Sequence, residues 1–103
     1  MQAVLEAAKL LRDATNGLSP SLLKNCKQID WIYNPLDYAW APHQEWIRRF
    51  SGNGANTLLV GMNPGHGMGN TGVPFGCPEQ VKNFLSITDF EVHQPSPIHP
   101  KRT

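Results

Sequence analysis

Apolar residues recur at helical spacing in the first part of the chain and alternate with charged residues on the opposite face. The apolar positions are Val4, Ala7, Ala8, Leu11 and Ala14. Their spacing predicts an amphipathic helix over residues 3–14, which Asn16 and Gly17 end with a left-handed turn. Ser19 before Pro20 predicts a second, short helix, because a capping serine followed by proline is typical of a helix start.

The same pattern predicts two further helices, each opened by a proline. One begins at Pro42 and ends near Gly52. The other begins at Pro78 and runs through about residue 87. Proline suits the first turn of a helix because the N–H group that it lacks would have no intrahelical partner there.

Between these helices, residues 57–62 form a short apolar run rich in leucine and valine. Such a run predicts a buried β-strand. A loop over residues 61–76 follows it and contains six of the nine glycines in the chain. Helices around one strand predict an α/β fold with a parallel sheet, and folds of that class bind ligands in loops at the carboxyl ends of their strands.

Composition indicates one modest domain, since the chain has 103 residues, of which 40% are hydrophobic and 17% charged. A net charge of +1 predicts no bulk attraction to nucleic acid. Cys26 and Cys77 lack the spacing of a metal motif, so we expect no metal.

We expect no membrane span and an intracellular location, nuclear if eukaryotic and cytoplasmic if bacterial. Because the last ten residues are rich in proline, we expect a domain truncated at its carboxyl end.

The glycine loop also contains a nominal nucleotide-binding pattern. Gly67, Gly69 and Gly72 match G-x-G-x-x-G, with Asp89 downstream. The dinucleotide fingerprint needs its glycines directly after a strand and at the start of a helix, and Pro74 argues against a helix before about residue 78. A nucleotide-binding α/β domain that uses these three glycines therefore stays an alternative.

Three motifs, in order along the chain, resemble those of one enzyme family. They are Asn34-Pro35-Leu36-Asp37-Tyr38-Ala39-Trp40-Ala41-Pro42-His43, then Gly61-Met62-Asn63-Pro64-Gly65 with Thr71-Gly72-Val73-Pro74-Phe75-Gly76, and finally His99-Pro100-Lys101-Arg102. Together they resemble the single-strand-selective monofunctional uracil-DNA glycosylases. The resemblance covers about residues 34–103. It implies a three-layer α/β/α fold with a central parallel sheet, of which residues 1–103 would form the amino-terminal part.

The resemblance also implies roles for five residues of the glycine loop. Asn63 would hold the water that attacks C1′ of the deoxyribose, and Phe75 would stack on a uracil flipped out of the DNA. Met62, Gly65 and Met68 would line the same pocket. An amide can position a water but cannot accept its proton at neutral pH, so the resemblance implies a dissociative hydrolysis with an oxocarbenium-like sugar. No cofactor is implied.

The chain departs from the family pattern in two places. Only His66 stands between Gly65 and Gly67, where the family usually has a proline and an aromatic residue. The family's His-Pro-Ser motif and a later asparagine have no counterpart. His93 is followed by Pro95 and Ser96, but one extra residue separates it from the proline, so it does not match the motif. A lone histidine such as His43 is more often structural or exposed than catalytic.

We therefore expect a uracil-DNA glycosylase of base-excision repair that acts on uracil, and on oxidised pyrimidines as a second substrate class, in single- or double-stranded DNA. It would be monomeric when complete and would have little activity as this fragment. The alternative from another functional class is a non-catalytic DNA-binding remnant of the same fold.

Overall fold

The computed structural model describes residues 2–52, 54–63 and 65–88, with the backbone alone at positions 66 and 67. In these residues it contains five helices: α1 (Gln2–Asn25), α2 (Pro35–Tyr38), α3 (Trp40–Phe50), α4 (His66–Thr71) and α5 (Pro78–Asn83). Helix α1 packs against α2 and α3, and α4 packs against α2 and α5. Within this described part, no helix has both the length and the apolarity needed to cross a membrane. Asp89, His93 and the motif at residues 99–102 lie outside the described residues.

Helix α1 is continuous over 24 residues, so the predicted break at Asn16 and Gly17 is wrong. Pro20 lies inside the helix and removes one of its hydrogen bonds. A side chain from outside contacts the helix one turn earlier: Asn34 Nδ2 lies 2.7 Å from Thr15 Oγ1 and 2.9 Å from Asn16 Oδ1. This tertiary contact supports the helix at the point where the local sequence weakens it.

The face of α1 that turns toward the rest of the fold differs from the predicted apolar face. Leu5 is buried, whereas Val4 and Leu11 are exposed. Polar groups supply the other inward contacts, because the Arg12 guanidinium lies 4.6 Å from the centroid of the Trp40 ring and Asn34 bonds the helix nearby. Polar and cation–π contacts therefore add to the burial of Leu5 in holding α1 against α2 and α3.

Helices α2 and α3 follow each other almost directly. Asn34 caps α2, because its Oδ1 accepts a hydrogen bond from the Leu36 N–H at 3.2 Å. Helix α3 begins at Trp40, two residues before the predicted start, so Pro42 occupies its first turn, where no N–H group is needed. Near the end of α3, Arg49 Nη1 donates to Ser86 O at 2.9 Å and joins this helix to the segment after α5.

The predicted buried strand is not formed, because residues 54–61 belong to neither a helix nor a strand. The side chains of Leu58, Leu59 and Val60 are 85%, 74% and 81% exposed. A parallel strand obtains its backbone hydrogen bonds from neighbouring strands. The described part of the chain has no strand to offer as a neighbour, so the predicted sheet is not confirmed.

Helix α4 lies in the glycine loop, where the sequence predicted no helix before about residue 78. It ends at Gly72, which adopts a left-handed φ of 70° as the C-cap. The Tyr38 hydroxyl donates a hydrogen bond to Gly69 O from the side of α2. Helix α5 begins at Pro78 as predicted but ends at Asn83, and Ser86 beyond it has a positive φ of 57°.

A small apolar core lies beneath the loop that follows α4. Val73, Val81 and Ile87 are buried against one another, and Trp46 of α3 and Leu85 pack around them. Burying a side chain of this size stabilises a fold by about 1.5–3 kcal/mol. This core fixes the loop between α4 and α5 to the rest of the molecule.

Two glycine substitutions test this description of α1 and α4. A Cβ on Gly72 would stand 2.7 Å from Ala39 O, and the left-handed φ adds strain, so Gly72→Ala should lower the free energy of unfolding by about 2–3 kcal/mol. Gly17 has no atom within 4 Å of the corresponding position, so Gly17→Ala should raise it by about 0.5–1 kcal/mol. Urea denaturation measures both changes. A loss of stability in Gly17→Ala would contradict the continuous α1.

Candidate functional site

A cleft of about 560 Å³ opens beside α4, between the irregular segment that precedes this helix and the turn that follows it. Its lining residues are Leu59, Val60, Gly61, Met62, Asn63, Gly65, Met68, Pro74, Phe75 and Gly76. The five residues singled out from the sequence, Met62, Asn63, Gly65, Met68 and Phe75, all belong to this lining. The structure thus brings together the candidate site residues, although they span 14 positions of the chain.

Phe75 is held in a strained turn at one wall of the cleft. Gly76 N–H donates to Val73 O at 2.9 Å and closes the turn, in which Phe75 has a positive φ of 59°. That backbone region disfavours residues with a side chain and suits glycine. The ring is nevertheless 68% exposed, and its Cε1 lies 3.3 Å from the position that a Cβ on Gly61 would take. Glycine at position 61 thus leaves space for the edge of this ring.

Asn63 and Met62 lie at a bend before α4, and both are exposed. An exposed amide offers one acceptor oxygen and two donor hydrogens to a water molecule or a polar ligand. The Met62 thioether side chain is flexible and apolar. This edge of the cleft therefore combines one polar group with an adaptable apolar surface.

Met68 of α4 lines the cleft and a second cavity as well. The second cavity is a largely apolar space of about 340 Å³ behind α4. The other residues around that space are Ala8, Leu11, Asn34, Pro35, Leu36, His43 and Gly72. Helix α4 thus contributes a side chain to both cavities.

Two side chains from α2 and α3 form hydrogen bonds with the carboxyl end of α4, and the sequence predicted a role in the site for neither of them. The Tyr38 hydroxyl donates to Gly69 O, and His43 Nδ1 lies 2.6 Å from Gly72 O. Because a carbonyl oxygen only accepts, Nδ1 of His43 carries the proton. Tyr38 and His43 lie 31 and 29 residues from their acceptors, so no local sequence signal reveals these bonds.

His43 is buried between two tryptophans, whose rings lie 5.9 Å (Trp40) and 6.0 Å (Trp46) from its own. Burial lowers the pKa of the imidazole from its ordinary value of 6.5, and the hydrogen bond to Gly72 O opposes that shift. The neutral form of His43 is therefore favoured in the folded chain at neutral pH. This is the structural role that a lone histidine most often has.

The glycine pattern does not form a nucleotide cradle, so that alternative loses its structural basis. Gly67 and Gly69 lie within α4, Gly72 caps its carboxyl end, and no strand precedes them in the described residues. The carbonyl oxygens of Gly69 and Gly72 accept hydrogen bonds from the side chains of Tyr38 and His43. A dinucleotide fingerprint instead presents its glycines at the amino end of a helix, where N–H groups face the phosphates. Nor do the described residues contain three His, Cys, Asp or Glu side chains grouped for a metal ion.

Curated proteins of one family have sequences similar to this chain. The chain is 47% identical over 83 residues, 80% of its length, to the single-strand-selective monofunctional uracil-DNA glycosylase of Rattus norvegicus. It is 46% identical over 83 residues to the Mus musculus protein of that name, and 43% identical over 72 residues to the Bos taurus protein. The chain is a relative of the single-strand-selective monofunctional uracil-DNA glycosylases.

This similarity confirms the family resemblance seen in the motifs. The chain spans about 30% of the length of these glycosylases (30%, 29% and 26% of the rat, mouse and bovine proteins). No family model matches the chain, and no solved structure matches it.

The lowered pKa of His43 predicts a pH-dependent stability. Around pH 6.5 the unfolded chain binds a proton at His43 more readily than the folded chain does. The free energy of unfolding should therefore be highest above pH 6.5 and decrease as the pH falls below it. Urea denaturation at pH 8 and pH 5.5 measures the decrease. His43→Asn keeps an N–H donor at the same distance along the side chain but does not titrate, so equal pH dependence in both proteins would contradict the assignment.

The strained turn predicts an order of stability for two variants at position 75. Phe75→Gly and Phe75→Ala both remove the exposed ring, but only glycine adopts a φ of 59° without strain. We expect Phe75→Gly to be more stable than Phe75→Ala by about 1 kcal/mol, measured as the difference in their free energies of unfolding in urea. Equal stabilities would show that the left-handed backbone carries no strain.

Proposed function

We propose that the cleft beside α4 is the base-binding and water-positioning part of a uracil-DNA glycosylase site. The single observation that carries this proposal is that Met62, Asn63, Gly65, Met68 and Phe75 line one cleft of about 560 Å³. This volume lies within the range of about 300–1,000 Å³ typical of small-ligand sites. The similarity to glycosylases supplies the substrate class, which is uracil in DNA.

In this proposal, a uracil leaves the base stack and enters the cleft with its face against the Phe75 ring. Met62 and Met68 supply apolar contacts to the base. Asn63 holds a water molecule through its side-chain oxygen. The bond between C1′ and the base breaks first and leaves an oxocarbenium-like sugar and a uracil anion. The water oxygen then bonds to C1′, the proton released from the water ends on the base, and the DNA keeps an abasic site.

We further propose that residues 57–62 join a parallel sheet of the three-layer α/β/α fold when the rest of a glycosylase is present. The high exposure of Leu58, Leu59 and Val60 supports this, because a run of apolar side chains is costly to leave in water. The sequence has no counterpart of the His-Pro-Ser motif implied to steady the leaving base. We therefore expect the 103-residue chain to bind uracil but to catalyse its excision poorly.

A titration with free uracil tests the cleft directly. The chain has three methionines, so ¹³C-methyl NMR gives one signal from Met1 and two from the cleft residues Met62 and Met68. Uracil should shift the Met62 and Met68 signals and leave Met1 in place. Phe75→Ala should weaken binding at least about fivefold, because stacking of a base on an aromatic ring contributes about 1–3 kcal/mol. Cytosine serves as the matched control ligand.

The absence of any uracil-dependent shift at millimolar concentration would refute the base-binding site. A second arm incubates the chain with single-stranded DNA that contains uracil and then cleaves abasic sites with alkali. Abundant strand breaks would contradict the expected low activity. DNA binding that is unchanged in both Asn63→Ala and Phe75→Ala would instead support the non-catalytic DNA-binding protein.

A further inference from the structure

We propose that Tyr38 and His43 are positioning residues of the cleft: they bond the carboxyl end of α4 and thereby fix the wall that contains Met68 and Gly65. The expected effect on the affinity for the base rests on the proposed function. The placement of α4 by these two residues rests on geometry alone. Neither residue lines the cleft, so neither contacts a base bound there.

Helix α4 needs support from outside because it is short. It has six residues, two of them glycines, and an isolated helix of this length is not stable in water. The last four carbonyls of any helix lack intrahelical partners. In α4, Met68 O accepts from the Gly72 N–H at 2.7 Å, and the Tyr38 hydroxyl bonds Gly69 O.

The second donor acts one turn further on. His43 Nδ1 bonds the carbonyl of Gly72, the residue that ends the helix, at 2.6 Å. Gly72 itself lies so close to Ala39 O that a Cβ there would stand 2.7 Å away. The end of α4 thus accepts two side-chain hydrogen bonds, from Tyr38 and His43, and is in direct contact with the turn between α2 and α3.

The two donors are themselves held in place. Tyr38 is the last residue of α2, whose cap Asn34 is bonded to α1. His43 is buried in α3 between Trp40 and Trp46. A change at either donor should therefore move α4 rather than the donor's own helix.

The space behind α4 explains why this support matters for binding. Met68 lines both the cleft and the apolar cavity of about 340 Å³ on the other side, so α4 has room to move away from the cleft. At its other end, the Gly69 N–H bonds Gly65 O at 2.8 Å, and Gly65 also lines the cleft. Loosening α4 would thus displace two lining residues together.

Four variants separate positioning from general stability. Tyr38→Phe removes one hydroxyl, and His43→Phe keeps a ring between the tryptophans but removes the N–H donor. His43→Asn keeps a donor and should rescue the effect of His43→Phe. Tyr33→Phe is the matched control, because it removes the hydroxyl of a residue that lines a different cavity, of about 230 Å³.

The first measurement needs no ligand. In Tyr38→Phe and His43→Phe, the Gly69 and Gly72 amides should exchange hydrogen about three- to tenfold faster, the effect of losing one hydrogen bond. The Met68 methyl signal should shift, and the Met62 signal should not. Circular dichroism verifies that each variant is folded. Unchanged exchange and an unchanged Met68 signal in both variants would overturn the positioning role, whether or not uracil binds.

The second measurement is the uracil titration. Tyr38→Phe and His43→Phe should bind uracil about three- to tenfold more weakly than the wild-type chain, whereas His43→Asn and Tyr33→Phe should bind it normally. If the wild-type chain binds no uracil, the proposed function fails and the exchange data still decide the placement of α4. If it binds uracil and Tyr38→Phe and His43→Phe bind it equally well, the positioning proposal is wrong.

Discussion

The close contact between Gly72 and the α2–α3 turn is the constraint on which the candidate site depends. A side chain at position 72 would meet Ala39 O at 2.7 Å and the Cβ of His43 at 3.2 Å, so only glycine allows the two backbones to approach this closely. The same residue has the left-handed φ that ends α4. Because its carbonyl then faces His43 Nδ1, the contact determines where α4 ends and where Met68 lies in the cleft.

The sequence singled out five residues that line one cleft, but it did not predict the short helix beside them. Asn63 and Phe75 could be named as candidates because they occupy a motif whose order and spacing are specific. Helix α4 could not be predicted, since its two internal glycines and the nearby Pro74 argue against a helix in any local window. What supports it is a hydroxyl 31 residues away, at Tyr38. Similarly, α1 continues through Gly17 because Asn34 bonds it from outside.

The predicted strand shows another limit of local sequence patterns. Residues 57–62 have the apolar, branched composition of a buried strand, yet composition describes only the suitability of a segment for a sheet. Burial and hydrogen bonding come from neighbouring strands, which the described residues do not contain. Leu58 and Val60 are consequently exposed. The segment has the apolar composition of a buried strand, but the prediction that its side chains are buried is wrong for the described chain.

The two walls of the cleft are anchored in different parts of the molecule. The Phe75 turn is fixed at both ends by the small core, since Val73 is buried in it and a Cβ on Gly76 would stand 2.7 Å from Val81 Cγ2. The Met68 wall depends instead on Tyr38, His43 and the helices that carry them. A ligand held between the two walls would connect these parts and stabilise both, more strongly the tighter it binds. The strained φ of Phe75 fits this arrangement, because backbone strain persists where surrounding contacts hold a residue in a functional position.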